Sequence, residues 1–536
     1  MAEIETADMT DRVYLRPAAK VEPLVYRWHA WAHLIAPAQL AMHIAYRIVP
    51  LLKSFLNDIS VHVSANSDPA MFGGPFVDLL ETDADAVARL LQETCTDAVS
   101  LIGFAEDWRK FEALLQEKAS GYSLNEFYAL LPTSLQGLVE LQYDLHQHPS
   151  IRLLEPFLYA EDSRRSGQEI CLQTIAEAGR AFFMSTPRLT KSDNLSLKIR
   201  FADSRLDLLS RARTEPQSFQ QMATAFEIDD SHRELFRGFF TDEAPSLSAT
   251  RDYSGDGVRM RYFGHATVLF QTRDTAILFD PFCSVEPTAD GRYTLNDLPD
   301  FIDYVVISHA HQDHFNAEML IQIRHRVGRV IVPAHNSGHL TDPSMKLVLK
   351  ELGFSRVDAL ELFEQIDLPG GSITSLPFTG EHSDLSIYSK HSLSLELQGR
   401  RFLFLVDSDG RDAILYRRMK QMTGEIDALF IGMECAGAPA DWLYGPLLPK
   451  PMSRRNNESR RLSGSDSARA WTILEQLQAP QVFIYAMGQE PWMRFIMGLE
   501  YTKESIQITE SDAFIARCGE AGVAAERLYG SKEFIW

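Results

Sequence analysis

Cysteine is scarce in this chain and never paired. Cys95, Cys171, Cys283, Cys435 and Cys518 lie far apart in 536 residues. An odd, scattered set without a C-x-x-C pair excludes a disulfide framework, a zinc ribbon and thioredoxin-type chemistry, and fits a reducing compartment. Long apolar runs are missing as well. The most apolar early stretch, Leu34 to Leu52, is broken by Pro37, His43, Arg47 and Pro50, so nothing approaches the roughly 20 residues of a membrane helix. Positive charge is in deficit. Fifty-two basic against 73 acidic residues leave a formal charge of −21, which opposes broad binding to nucleic acid or anionic membrane. The acidic opening MAEIETADMTDR has no positive n-region, unlike a signal peptide. No flavin or NAD fingerprint is visible. What remains, 45% hydrophobic and 23% charged residues, is globular composition and excludes a mainly disordered chain. A cytoplasmic, soluble protein is expected.

The chain has two grammars. Up to about residue 245 helical spacing dominates, as in Asp85 to Ile102, with similar readings for Ser134–His146, Ile170–Phe183 and Ser231–Phe240. Trp28, Trp31, His29, His33 and His43 are spaced like helix faces and read as core or interface. From Val258 short strands take over: Val258–Tyr262, Ala266–Phe270, Ala276–Phe279, Tyr304–Ile307, Arg329–Val332, Ser372–Leu376, Ser392–Leu397, Arg401–Val406, Ala428–Ile431 and Gln481–Tyr485. Helices are predicted at Ala317–Val327, Ser344–Leu352 and Ser465–Leu477, giving layered α/β packing. The basic stretch Pro449–Gly464 reads as an exposed loop.

The decisive segment is Tyr304-Val-Val-Ile-Ser-His-Ala-His-Gln-Asp-His-Phe. An apolar strand ends at Ser308, and His309, His311, Asp313 and His314 follow within a few residues. Four buried polar side chains would each need a partner as mere packing; imidazole and carboxylate together are donors for Zn, Fe and Mn. A compact turn points His309 and His311 at one metal, Asp313 and His314 at a second.

This HxHxDH pattern resembles the metallo-β-lactamase superfamily. Gly264-His265-Ala266-Thr267 looks like its opening strand motif, and Phe279-Asp280-Pro281 like the strand-end Asp beneath its metals. The resemblance implies an αββα sandwich over roughly residues 255 to 500. The fold class expected is therefore α/β, a metallo-β-lactamase αββα sandwich (residues 246–536) preceded by a mainly helical N-terminal domain (residues 1–245). Hydrolases of the superfamily place a His after a glycine in the next metal loop. Here Pro377-Phe-Thr-Gly-Glu-His-Ser-Asp puts Glu381 in that place, with His382 the alternative one register on. Asp407 matches the bridging Asp, and Asp409 is its alternative. No histidine follows His391, although dizinc hydrolases take their last ligand from that region. The implied set is His309, His311 and Glu381 for one metal and Asp313, His314 and Asp407 for the other, Asp407 bridging. Carboxylate-rich ligation of this kind favours iron.

These departures resemble a narrower branch, the diiron β-hydroxylases of nonribosomal peptide biosynthesis, of the chloramphenicol-pathway type. The motifs HAHQDH, GEHSDLSIYSKH and Leu405-Val-Asp-Ser-Asp, with Val25-Tyr-Arg-Trp-His-Ala-Trp-Ala-His and Gly488-Gln-Glu-Pro-Trp, carry it. The resemblance implies two oxo- or hydroxo-bridged Fe ions, O2 as co-substrate, and β-hydroxylation of an aminoacyl group held as a thioester on a carrier domain. It also implies a separate electron-donating reductase, and a homodimer whose N-terminal domain supports dimerisation and the substrate entrance. Arg454, Arg455, Arg460 and Arg461 form a basic island suited to docking the acidic carrier. The rival is a dinuclear zinc hydrolase of the same superfamily acting on an ester, lactone, thioester or phosphodiester.

Overall fold

Strands buried on both sides set the architecture of the C-terminal half. Ala276–Phe279 and the run from Phe402 to Val406 are buried throughout, as strands must be when a helix covers one face and a second sheet the other. A computed structural model of the chain describes residues 11–160, 167–287, 291–335 and 338–536. The start of the acidic opening segment, Met1 to Thr10, lies outside the described residues.

Two seven-stranded sheets stack face to face. The first runs Val357–Leu360, Val327–Pro333, Ile302–Val306, Ala276–Phe279, Thr267–Gln271, Arg259–Gly264, Lys532–Ile535, and the second Gln365–Leu368, Gly371–Leu376, Ser392–Leu397, Arg400–Val406, Ala428–Gly432, Gln481–Tyr485, Ala524–Arg527. Each sheet has an antiparallel half and a parallel half. Phenylalanines fill the space between them. Phe279 stacks on Phe404 with centroids 4.1 Å apart, Phe404 on Phe430 at 4.6 Å, and Phe430 on Phe483 at 5.0 Å. Leu269, Leu278 and Val305 face outward against the helix Ala317–Ile323. On the far side, Leu403, Leu405, Leu429 and Ile431 pack under the helices Ala413–Thr423, Ser467–Leu477 and Ile506–Glu520. All ten strands and three helices expected in this half are present, with ends shifted by a few residues at most.

The N-terminal half is more mixed than its spacing predicts. Helices Pro37–His43, Val49–Asn57, Ala84–Asp97 and Val99–Lys118 pack around Leu40, Leu52, Phe55, Val87, Phe104 and Trp108. Two expected helices are strands. Gln168–Thr174 pairs antiparallel with Ala19–Val25, Leu172 opposite Val21. Val139–Tyr143 forms a hairpin with Pro149–Leu153, closed where Asp144 Oδ1 accepts the amides of His146 and His148, each at 2.8 Å. In both, the alternation of Ile170 with Leu172 and of Val139 with Leu141 is completed by a partner strand, and that tertiary pairing overrides local spacing. His29 likewise lies in a two-residue strand rather than on a helix face with His33. Trp28 and Trp31 are core residues, 1% and 2% exposed.

The halves are joined by a buried ionic network. Glu22 Oε1 meets Arg180 Nη2 at 2.9 Å, Arg188 Nε at 3.0 Å and His29 Nδ1 at 2.9 Å, while Arg180 Nη2 also reaches Glu318 Oε2 at 2.7 Å. Glu22, His29 and Glu318 converge as metal donors would, but two guanidinium groups already supply the positive charge. Burial opposes the Glu22 charge, yet Arg180, Arg188 and His29 outweigh it and hold its carboxyl well below the usual range. Removing one partner from a buried network strands the others. Glu22→Ala is expected to cost about 3–5 kcal/mol, read from chemical denaturation. The contribution is present above the unfolded carboxylate pKa and disappears as pH falls through the lower folded value.

Candidate metal centre

Five strands deliver their following residues to one edge of the sandwich: Asp280 after Ala276–Phe279, the His309–His314 turn after Ile302–Val306, Glu381 beyond Gly371–Leu376, Asp407 after Arg400–Val406, and Glu434 beyond Ala428–Gly432. The chain turns through left-handed backbone to do this, with φ of 38° at Asp280, 62° at Glu381 and 53° at Val406. A β-branched residue with positive φ is a genuine strain, and here it re-aims the next side chain, Asp407, into the site. Glycine makes two of the approaches possible. At Gly380, with φ 85°, a Cβ would meet Asp409 Cβ at 2.5 Å, and at Gly432 one would meet Asp407 Oδ1 at 2.6 Å.

Three donor groups converge: His309, His311, Glu381 and His382; His309, His314 and Asp407; and His265, Asp313 and His314. All six sequence-predicted ligands, His309, His311, Asp313, His314, Glu381 and Asp407, are thus brought together and buried. His311 Nδ1 lies 2.6 Å from Glu381 Oε1, and His309 Nε2 lies 3.6 Å from Glu381 Oε2 and 3.7 Å from Asp407 Oδ2. His314 Nε2 lies 2.8 Å from Asp407 Oδ2 and 3.6 Å from Asp313 Oδ2. Asp407 is the carboxylate that stands beside both His309 and His314.

The donor set fits metal ions. His309 Nε2, His314 Nε2, Glu381 Oε2 and Asp407 Oδ1 are buried without a hydrogen-bond partner. Each such atom costs about 1–3 kcal/mol if left so, and these four point into the same groups. Burial disfavours charge on His314, but Asp407, Asp313 and Asp280 outweigh it and hold its pKa well above the ordinary imidazole value. The site asks for a cation.

Residues behind the donors fix which nitrogen faces inward. Asp280 Oδ1 accepts the Ser308 amide at 2.7 Å, and its Oδ2 accepts from His314 Nδ1 at 2.9 Å, leaving His314 Nε2 for the site. Tyr444 OH sits 2.9 Å from His311 Nε2, so that Nδ1 faces Glu381. His265 is a donor to the cluster rather than a bare ligand nitrogen. Its Nδ1 accepts the Gly488 amide at 3.0 Å, which puts the proton on Nε2, 3.2 Å from Asp313 Oδ2. The Gly264-His265 motif is visible in the sequence, whereas nothing in it singles out Tyr444.

Of the two alternatives, His382 lies inside a converging group. Its Nδ1 is 2.9 Å from Glu381 Oε2, and its ring stacks on His311 with centroids 4.5 Å apart. Burial, opposed by Glu381 and reinforced by Lys390, brings its pKa down to about 4, so it is neutral. Asp409 belongs to none of the groups; its Oδ2 is held by Arg411 Nε at 2.7 Å and Arg469 Nη1 at 2.9 Å. Near where hydrolases place a last histidine, Glu490 accepts from Tyr262 OH at 2.6 Å and the His265 amide at 2.8 Å, bracing the turn.

A cavity of about 430 Å³ opens over the donors, lined by His311, Asp313, Glu381 and Glu434 on one side and by Phe72, Phe76 and Trp442 among its apolar residues. The N-terminal half supplies the stretch 70–76 of that wall. Gly73, with φ 83°, packs so close to Gly498 that a Cβ would meet its carbonyl oxygen at 2.3 Å.

Comparison with known proteins agrees along the chain. Residues 14–245 match a family model described as a diiron non-haem β-hydroxylase N-terminal domain, and residues 259–367 match a β-lactamase superfamily domain. The chain is 34% identical over 526 residues to the 4-amino-L-phenylalanyl-[CmlP-peptidyl-carrier-protein] 3-hydroxylase of Streptomyces venezuelae, covering 97% of this chain and 98% of the relative. The crystal structure of CmlA, a diiron β-hydroxylase from Streptomyces venezuelae, superimposes with a TM-score of 0.91 at 32% identity over 98% of this chain and 99% of that one. A metal-dependent hydrolase of Opitutus terrae is 28% identical over 228 residues, 38% of this chain and 88% of the relative.

Proposed function

The chain belongs to the diiron non-haem β-hydroxylase family, and from that premise we propose that it hydroxylates, with O2, the β-carbon of an aminoacyl group tethered as a thioester to a nonribosomal peptide synthetase carrier domain. The observation that carries the reading is Glu381. A carboxylate occupies the post-glycine place and lies 2.6 Å from His311, in a chain with no late histidine to complete a zinc-hydrolase set.

His309, His311 and Glu381 would hold one iron, and Asp313, His314 and Asp407 the other, with Asp407 shared. When bound, the irons supply the reduction of O2 and the oxidation of a C–H bond, one oxygen becoming the hydroxyl and the other water. The protein's own residues hold the donors in place. Asp280 keeps the His314 proton on Nδ1, Tyr444 takes up His311 Nε2, and His265 Nε2–H steadies Asp313. The apolar wall of Phe72, Phe76, Trp442 and Leu443 suits an aromatic or aliphatic side chain and sheds water from the reacting carbon. A phosphopantetheine arm makes the encounter local. Electrons come from a separate reductase on this reading, and the N-terminal half supports a homodimer as well as the cavity wall. Among the described residues no helix is long and apolar enough to cross a membrane.

Protein purified from iron-replete cells is expected to carry two irons per chain by elemental analysis, with near-ultraviolet oxo-bridge absorption. Two zincs with hydrolysis of a thioester or lactone would overturn the assignment in favour of the hydrolase. The carrier's docking face is proposed at the basic island, part of which has a second use. Arg460 Nε is tied to the Ser383 carbonyl at 2.8 Å and Arg461 Nε to the Gly437 carbonyl at 2.6 Å. Arg454 and Arg455 begin the short helix Arg454–Ser459 and are exposed, which suits contact with an acidic domain. Replacing both by Glu should raise the KM for loaded carrier by about tenfold at low salt, with kcat unchanged; an unchanged KM would remove this face from the docking site.

A further inference from the structure

Glu434 is a carboxylate too many for the metal site. It lines the cavity with His311, Asp313 and Glu381, yet its oxygens belong to none of the three converging donor groups. Its main-chain carbonyl accepts the Gly464 amide at 2.9 Å, while its side chain meets no hydrogen-bond donor or cation among the described residues. The guanidinium on the same wall, Arg461, is committed to the Gly437 carbonyl and to Glu458.

Beyond the irons proposed above, which the donor groups would hold, a partner for the Glu434 carboxylate has to enter through the cavity. An aminoacyl thioester has lost its carboxylate charge to the thioester bond, and its backbone keeps one ionic group, the α-ammonium. That nitrogen and the β-carbon are both bonded to Cα, about 2.5 Å apart. A substrate whose β-carbon faces the metal donors thus carries its ammonium just beyond them, in the cavity that Glu434 lines together with His311, Asp313 and Glu381. Resting on the function proposed above, we infer that Glu434 binds the α-ammonium of the tethered aminoacyl group. The site then selects a free aminoacyl thioester over an N-acylated or peptidyl one. In reaction order, hydroxylation comes after the amino acid is loaded and before its amine is condensed.

The test compares a carrier domain loaded with phenylalanyl-phosphopantetheine against one loaded with N-acetylphenylalanyl-phosphopantetheine. Binding is followed by fluorescence anisotropy without O2, turnover by mass spectrometry of the carrier. Wild-type protein should favour the free amine by about ten- to a hundredfold in Kd, the worth of one charge-assisted hydrogen-bonded pair. Glu434→Gln should keep both irons and their absorption, raise the Kd and KM for the free-amine carrier by about tenfold or more, and bring the ratio between the two carriers close to one. Glu434→Asp should restore part of that ratio. Unchanged discrimination in Glu434→Gln, no discrimination by wild type, or loss of an iron from the variant would each overturn the inference, the last by making Glu434 a ligand. Wild type that prefers the free-amine carrier in binding but hydroxylates neither would remove the proposed reaction and leave the ammonium site standing.

Discussion

Asp407→Asn is expected to leave the chain folded, to hold no more than one metal per chain, and to hydroxylate more than about a hundredfold more slowly than the parent. The carboxylate stands 2.8 Å from His314 Nε2 and 3.7 Å from His309 Nε2, so it lies between the two halves of the predicted ligand set. Its Oδ1 has no protein partner. An amide of the same shape keeps the turn at Val406 and the close contact over Gly432, but its NH2 end cannot serve a metal. The effect on stability should change sign with loading. Burial, together with Glu381 and Asp313 and against the pull of His314, pushes the Asp407 carboxyl up, so this anion is costly while the site lacks metal. Metal-free Asp407→Asn should therefore melt no lower than metal-free parent, whereas loaded parent should melt well above the loaded variant. Elemental analysis and melting curves with and without chelator read both outcomes. Two metals per chain in the variant would hand the bridge to Asp409 and require its ion pairs with Arg411 and Arg469 to open.

What the sequence made legible follows the range over which its signals act. The HxHxDH turn could be read because four donors sit within six residues of a strand end, and the sandwich because strands such as Ala276–Phe279 and Ser392–Leu397 are short, apolar and bounded by turns. Asp280 was recognisable as a strand-end acid, and the structure adds that it fixes the His314 tautomer. Residues acting across long separations carried no such mark. Tyr444 is 133 positions from His311, and Glu434 follows an ordinary buried strand. In the N-terminal half the same limit produced errors of type. Ile170–Phe183 and Ser134–His146 have spacing that either a helix or a strand can satisfy, and the choice rests with Ala19–Val25 and Pro149–Leu153, the strands that pair with them. The Glu22 network was invisible for the same reason, since its members come from residues 22, 29, 180, 188 and 318.

Glu381→His should move the site toward zinc and suppress hydroxylation by more than about a hundredfold, while leaving the fold intact. The backbone permits the change: Glu381 sits at φ 62°, a conformation in which histidine is among the better-tolerated side chains. The chemistry does not. The group of His309, His311 and Glu381 would become three imidazoles, a nitrogen-rich set suited to zinc and less able than a carboxylate to stabilise oxidised iron. The new ring must also share its space with His382, already stacked on His311, which leaves less room at the mouth of the cavity. Glu381→Gln separates charge from shape, since it keeps the side-chain length and forfeits only the anion. It should weaken iron binding without recruiting zinc. Competition between iron and zinc, measured by elemental analysis after equilibration with both, gives the shift in preference independently of turnover. If Glu381→His keeps its iron and still hydroxylates, His382 is the ligand at this place, and the carboxylate that distinguishes this centre from a hydrolase serves only as its neighbour.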